Sequence, residues 1–183
     1  PPAPPASPPS SHPQRPVLDP PSPNFASSPQ KHLGSGLRGA PLPTITAFDI
    51  KSTQPDNAQL MRRRMDAVGV ECFSDLAMAV AGAQALISVV TADRAHEAAV
   101  MAAQHIEAGT LFLDMNSCAP GTKQKSADVI EQAGGRYVDV AVMAPITPRG
   151  HETPMLAAAE DTEMVAARLQ AAGLAPRFVG TEI

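Results

Sequence analysis

The stretch LFLDMNSCAPGTKQK, residues 111–125, decides the fold class of this chain. An apolar run ends in Asp114, polar Asn116 and Ser117 follow it, and Pro120 stands at a favoured first position of a helix. In an open parallel sheet, ligands meet the carboxyl ends of the strands, so polar side chains there are placed for contact with a small molecule. Asn and Ser are also favoured helix caps, and this alternative gives both residues a purely structural role.

The same order of strand and helix recurs on both sides of this stretch. Apolar runs predict strands at residues 44–49, 70–73, 85–90, 111–115, 137–143, 154–158 and 177–179. Helices are predicted at residues 56–68, 74–81, 94–107, 120–133 and 160–172, with Ser74 capping the second and Gly109 ending the third. Such alternation implies right-handed crossovers, so the sequence predicts an α/β fold with a Rossmann-like, mostly parallel sheet and flanking helices.

The first thirty residues have a different composition, because they contain twelve of the chain's 20 prolines. Proline fixes φ and lacks an amide hydrogen, which excludes both a helix and a central strand. We therefore predict a disordered Pro-rich segment at residues 1–33 and a Rossmann-like domain at residues 34–183. The glycines at 34, 36 and 39 satisfy the spacing G-x-G-x-x-G, but no strand precedes them, so they are not interpreted as a phosphate-binding loop.

Composition excludes several classes of function. Aromatic residues make up 3% of the chain and the net charge is −4, which argues against a nucleic-acid partner. The run of arginines at residues 62–64 is interpreted as a solvated helix face. The histidines show no metal-ligand spacing, and no apolar run is long enough to span a membrane. The two cysteines, Cys72 and Cys118, indicate a reducing, cytoplasmic compartment, and Cys118 is interpreted as a small buried or half-buried thiol rather than a nucleophile.

Three further residues at predicted strand ends are candidates for cofactor binding. Asp49 ends the first strand, where an acidic side chain can accept hydrogen bonds from the ribose hydroxyls of a dinucleotide. Its charge would repel a 2′-phosphate, which favours NAD over NADP, although a turn or cap role remains an alternative. Val90 and Thr91 would line the cofactor with backbone groups and a hydroxyl, although a buried strand of β-favouring residues needs no function.

Residues 34–183 resemble the nucleotide-binding domain of the β-hydroxyacid dehydrogenases, the family of 3-hydroxyisobutyrate and 6-phosphogluconate dehydrogenases. The resemblance is carried by AFD at 47–49, LISVVT at 86–91, DMNS at 114–117 with Pro120, and GRYVDVAVMAP at 135–145. It implies NAD or NADP as cofactor and a small hydroxyacid as substrate. It also implies that Asn116 contacts substrate and nicotinamide, that Ser117 lies close by, and that Asp49 binds the ribose.

The chain departs from this family at three places. Met143-Ala144-Pro145 stands where many members have a substrate-binding Ser-Gly-Gly turn. The Pro-rich segment replaces the first strand and its glycine loop. Members also continue beyond the position of Ile183 into a helical domain with the catalytic lysine and much of the dimer interface. No catalytic residue is therefore assigned, a homo-oligomer would lack that interface, and Lys123 is interpreted as a helix-surface lysine.

The sequence thus predicts the nucleotide-binding domain of an NAD(P)-dependent hydroxyacid oxidoreductase, incomplete as a catalyst. One alternative is a non-enzymatic binding module whose Pro-rich arm recruits a partner. Another is the non-functional product of a frameshifted gene, for which an apolar strand and a glycine loop should be encoded upstream of Gly34 in another reading frame.

Overall fold

A computed structural model describes residues 44–181 of the chain. The predicted disordered segment at residues 1–33, its boundary with the domain and the glycine pattern that follows lie outside the described residues.

Strands and helices alternate along the described part of the chain. They are β1 (Thr46–Phe48), α1 (Pro55–Asp66), β2 (Glu71–Phe73), α2 (Leu76–Val80), β3 (Ala85–Ser88), α3 (Ala95–Ala103), β4 (Leu111–Asp114), α4 (Pro120–Gln132), β5 (Arg136–Val142), β6 (Met155–Ala158), α5 (Thr162–Ala171) and β7 (Arg177–Gly180). Short 3₁₀ turns lie at Ile50–Thr53, Ala92–Arg94 and Gly150–Glu152. Every predicted strand and helix is present, with ends that shift by a few residues.

The strands form two separate sheets. β1 and β2 pair in parallel, and a five-stranded sheet has the order β3-β4-β5-β6-β7. Only the β5–β6 pair of the larger sheet is antiparallel. This confirms the predicted α/β fold with a mostly parallel sheet. β1 and β3 each pair on one side only, and they are not paired with each other.

The core lies on both faces of the five-stranded sheet, which makes a three-layer arrangement. On one face, Phe112 and Tyr137 pack against α3 and α4 with Ile130. On the other face, Leu111 and Leu113 pack in a cluster that contains the α5 residues Val165 and Leu169. Alternate side chains of a strand point to opposite faces, so covering both faces buries every residue of β4.

Several helix ends follow the sequence signals, and two do not. α1 and α4 begin with the prolines at 55 and 120, as predicted. The predicted cap Ser74 is wrong, because the neighbouring Asp75 accepts a hydrogen bond from Ala77 N at 3.0 Å and caps α2. Gly109 does not end α3, because the helix already stops at Ala103. Gly109 has a φ of 79° and turns the chain into β4 instead.

Within residues 44–181, no helix is long and apolar enough to cross a bilayer.

Candidate functional site

The carboxylate of Asp114 forms the buried centre of the candidate site. Asp114 ends β4 and is 0% exposed. Its Oδ1 accepts hydrogen bonds from Asn116 N at 2.9 Å and from Asn116 Nδ2 at 2.7 Å, and its Oδ2 accepts one from Tyr137 Oη at 2.6 Å. A buried carboxylate is costly unless it is paired in this way. The loop after β4 is therefore folded around a charged group.

The side chain of Asn116 ties the carboxyl end of β4 to that of β3. It is 4% exposed, and its Nδ2 also donates to Ser88 Oγ at 2.9 Å. Its Oδ1 accepts a hydrogen bond from Val90 N at 2.6 Å. The alternative in which Asn116 and Ser117 cap the following helix is wrong, because the N-cap of α4 is Ala119 and makes no side-chain cap bond. The structure thus brings Asn116 and Val90 together, two of the predicted site residues.

Lys123 belongs to the same buried cluster, so its interpretation as a surface lysine is wrong. It is 8% exposed, and its Nζ donates to Asp114 O at 3.0 Å and to Asp139 Oδ1 at 2.5 Å. The same Nζ lies 3.8 Å from Asp114 Oδ1. The sequence contained a signal for this burial, namely a spacing that places four residues on one face of the helix. All four are buried in the structure: Lys123, Ser126, Ala127 and Ile130.

Tyr137 was not among the predicted site residues, yet it holds the Asp114 carboxylate from β5. Its ring stacks on Phe112 with centroids 5.9 Å apart. Burial, and then the hydrogen bond to Asp114, raise the pKa of the Tyr137 phenol far above its usual range. Tyr137 is therefore a neutral donor at physiological pH. Its strand lies beside β4, so sheet pairing brings it to Asp114 from 23 residues away in the sequence.

The other predicted residues at this end of the sheet are open to solvent. Ser117 and Thr91 are exposed, and Val90 is 44% exposed. Thr91 makes a side-chain hydrogen bond to Asp93, and this bond lowers the pKa of the Asp93 carboxyl group. Exposed groups thus surround the buried Asn116 amide at the carboxyl ends of β3 and β4.

Asp49 lies apart from these residues, in the smaller sheet. It follows β1, is half-buried, and its Oδ1 accepts a hydrogen bond from Lys51 N at 2.8 Å, so it caps the 3₁₀ turn that follows. Asp49 therefore has the predicted cap role, which uses one oxygen of its carboxylate. The structure shows no hydrogen bond between Asp49 and the four predicted residues of the larger sheet.

The two thiols are half-buried, which agrees with the prediction for Cys118. Burial is the main cause that raises the pKa of both Cys72 and Cys118, and a nearby carboxylate adds to it for each thiol. Neither thiol is therefore activated as a thiolate. The described residues hold no group of three or more side chains able to bind a metal ion.

An open cleft of about 320 Å³ lies between the smaller sheet and α3. Its walls include Phe48 and Ile50 beside β1, Asp75 at the start of α2, and Met101 and His105 at the end of α3. None of the five predicted site residues lines this cleft, so it does not coincide with the Asn116 cluster.

A family model described as the NAD binding domain of 6-phosphogluconate dehydrogenase matches residues 43–173. This chain belongs to that family. The resemblance seen in the sequence is confirmed, and the domain is an NAD-binding domain of the hydroxyacid dehydrogenase type. The expected cofactor class, NAD(P), follows from this membership. No curated protein matches the chain significantly.

Solved structures agree with the family assignment. A conserved hypothetical protein from Sinorhizobium meliloti 1021 is 33% identical with a TM-score of 0.70, and the match covers 75% of this chain and 46% of that one. The protein MTH1747, described as similar to 3-hydroxyacid dehydrogenases, is 24% identical with a TM-score of 0.61 over 76% of this chain and 49% of its own. The 3-hydroxyisobutyrate dehydrogenase of Mycobacterium tuberculosis is 16% identical with a TM-score of 0.58 over 74% of this chain and 53% of its own.

These two last matches, below 25% identity, show the fold alone. This chain spans about half the length of each of the three structures.

Proposed function

We propose that this NAD-binding domain serves an oxidoreductase acting on a small hydroxyacid, with the dinucleotide bound across the carboxyl ends of β1, β3 and β4. The observation that carries the proposal is the Asn116 amide, which joins the ends of β3 and β4 through the 2.6 Å bond to Val90 N. In open parallel sheets, these strand ends are where nucleotides bind. When bound, the nicotinamide supplies the hydride chemistry.

Asp49 would bind the adenosine ribose and favour NAD over NADP. One oxygen of its carboxylate caps Lys51 N, which leaves the second oxygen for the ribose hydroxyls. Its position after β1 and its partial exposure both support this role. A 2′-phosphate would bring further negative charge next to the carboxylate, and the repulsion would weaken NADPH binding.

The nicotinamide end would lie against Val90, Thr91, Asn116 and Ser117. Val90, which is 44% exposed, and the Thr91 hydroxyl would line the cofactor, and Ser117 would face the substrate. Asn116 would contact substrate and nicotinamide through the second lone pair of Oδ1, because both of its amide hydrogens already have acceptors within the protein.

We also propose that residues 44–181 do not complete the reaction by themselves. A general acid or base must reach the substrate proton, whereas the titratable groups nearest to Asn116 are engaged with each other. Lys123 is bonded to Asp139 and to Asp114 O, and the Asp114 carboxylate accepts three hydrogen bonds. This cluster is suited to holding the loops in place rather than to exchanging protons with a ligand.

Calorimetric titration of the full chain with NADH and NADPH tests the proposal. We expect NADH to bind more tightly than NADPH. Asp49→Asn should weaken NADH binding by about 1–3 kcal/mol, because a charged acceptor is lost. Asp56→Asn, at an exposed position in the first turn of α1, is the matched control and should leave NADH binding unchanged. Absence of binding by either nucleotide to the folded chain would contradict the proposal, and equal affinities for both would refute the role of Asp49.

A further inference from the structure

We infer that Asp114 is a positioning residue that acts through Asn116: its buried carboxylate fixes the orientation of the Asn116 amide, and this amide holds the chain at the end of β3. The inference rests on the proposed function, because Val90 and Asn116 matter to a ligand only if the dinucleotide binds at these strand ends. Neither the fold nor the pairing of the strands requires the hydrogen bond between Asn116 and Val90, because β3 ends at Ser88 and this bond lies beyond the ladder of the strand.

The orientation of the amide is determined by its partners. Val90 N can only donate a hydrogen bond, so it requires the amide oxygen. The Asp114 carboxylate can only accept, so it requires the Nδ2 group, which lies 2.7 Å from Oδ1. A rotation of the amide by half a turn would place two donors face to face at Val90 and two acceptors face to face at Asp114. The Asp114 carboxylate therefore excludes the alternative orientation.

Asp114 is itself held from two other elements, through its carboxylate by Tyr137 and through its backbone carbonyl by Lys123. Tyr137 on β5 donates to Oδ2 at 2.6 Å. Lys123 on α4 donates to Asp114 O at 3.0 Å and to Asp139 on β5. Because the Asp114 side chain is fully buried among these groups, it has no solvent to turn toward. The chain of contacts runs from β5 and α4 through Asp114 and Asn116 to the Val90 amide.

In this arrangement, the hydrogen bond to Asn116 is what would hold the exposed loop after β3. Val89 and Val90 are 59% and 44% exposed, so packing contributes little to fixing them. The hydrogen bond from Val90 N to Asn116 replaces the ladder bond that a longer strand would have made. Losing the Asp114 carboxylate should therefore loosen the end of β3 while the paired strands beneath it stay closed.

Amide hydrogen exchange of the full chain, measured by NMR, tests the inference. The readout is the exchange rate of the Val90 amide relative to the amides of Leu113 and Val138 in the paired strands. Asp114→Ala should accelerate the Val90 amide by about tenfold relative to these two, which corresponds to the loss of one hydrogen bond. Asp114→Asn retains an acceptor oxygen for Asn116 and should restore the rate to within about threefold of the original protein.

Two further variants keep the test decisive if Asp114→Ala does not fold. Tyr137→Phe frees Oδ2 of Asp114 without touching Asn116, and it should accelerate the Val90 amide by about threefold. Ser52→Ala is the matched control, because it also removes a buried hydroxyl, bonded to Phe73 O at 3.0 Å in the smaller sheet, and it should leave Val90 unchanged. An unchanged relative rate at Val90 in the folded Asp114→Ala and Tyr137→Phe variants would overturn the inference.

The NADH dissociation constants of the same variants separate this inference from the proposed function. If the original chain binds NADH, Asp114→Ala should weaken binding by about tenfold and Asp114→Asn should recover most of it. If the original chain does not bind NADH, the proposed function fails, while the exchange rates still decide whether Asp114 positions Asn116. If a variant accelerates exchange of the Val90 amide but leaves the NADH dissociation constant unchanged, this result would contradict the role of Asp114 in the ligand site.

Discussion

The strands β1 and β4 are both short and both lead to an aspartate, but their surroundings are very different. Asp49 directly follows β1, Asp114 is the last residue of β4, and the chain continues from each aspartate toward a helix. β4 lies between β3 and β5 with helices on both faces, and all of its residues are buried. Within residues 44–181, β1 pairs only with β2, and none of its residues is buried. Burial is therefore decided by the neighbours that a strand acquires, and the strand's own residues do not reveal it.

The two aspartates at these strand ends show the same contrast. Asp114 is fully buried and accepts hydrogen bonds from two residues, so its role is internal. Asp49 is half-buried and uses one oxygen to cap a turn, so it stays available to a ligand. In the proposed site, the larger sheet would supply rigidity, and Asp49 beside the smaller sheet would supply the charge that selects the nucleotide.

The largest expected difference between the sheets is in the cost of removing an apolar side chain. Leu113→Ala in β4 should lower the free energy of unfolding by about 3–4 kcal/mol, because it leaves a cavity in a closed core. Phe73→Ala in β2 should cost about 1–2 kcal/mol, because Phe73 is only partly buried before the change. Denaturant unfolding of both variants measures the difference. Equal losses would show that the smaller sheet has a closed core as well.

Breaking the buried ion pair should have the next largest effect. Lys123→Met should lower the free energy of unfolding by about 2–3 kcal/mol, because Asp139 and the buried Asp114 carbonyl lose their donor. Lys125→Met, two residues further along α4 and exposed, is the matched control and should change it by less than about 0.5 kcal/mol. A similar small effect for both lysines would mean that the cluster contributes nothing to the stability of the larger sheet.

Titration of Tyr137 tests the burial of the larger sheet by a different route. Its pKa is raised by burial, so the folded chain binds the phenolic proton more tightly than the unfolded chain does. The stabilisation is complete below about pH 10, the unfolded pKa, and declines as the pH rises above it. The chain has one tyrosine and no tryptophan, so phenolate absorbance reports on Tyr137 alone. Phenolate should appear only together with unfolding, and ionisation near pH 10 in a folded chain would contradict the buried contact.

The smallest expected effect on stability belongs to Asp49. Asp49→Asn should change the free energy of unfolding by less than about 0.5 kcal/mol, since Asn caps a turn as well as Asp does. Its effect should appear in nucleotide binding instead. Thermal unfolding without nucleotide measures this directly, and a loss of more than about 1 kcal/mol would make Asp49 a structural residue like Asp114.

The sequence was sufficient to predict the order of strands and helices, because periodicity and prolines are local signals. The prolines at 55 and 120 mark two helix starts correctly, and the arginines at 62–64 are exposed as expected. The prediction of Ser74 as a cap was wrong because Ser74 and Asp75 are both able to cap a helix and are adjacent in the sequence. In such a case the local sequence does not decide which of them reaches the free amide.

The buried cluster could not be predicted, because its contacts join residues far apart in the chain. Asn116 meets Val90 across 26 residues and Tyr137 meets Asp114 across 23. Sheet register brings them together, and register is set by pairing rather than by local composition. Lys123 was wrongly interpreted as a surface lysine, although its spacing with Ala127 and Ile130 is that of the buried face of α4 and could have indicated its burial.

Mapping NADH onto the folded chain by NMR chemical-shift changes tests the central claim most directly. We predict that the largest changes occur at the backbone amides after β1, β3 and β4, namely at Asp49, Val90, Thr91, Asn116 and Ser117. Amides of β6 and β7, toward the edge of the larger sheet opposite β3, should remain unchanged. Changes confined to those distant elements, or spread evenly over the chain, would contradict a dinucleotide site at the carboxyl ends of these strands.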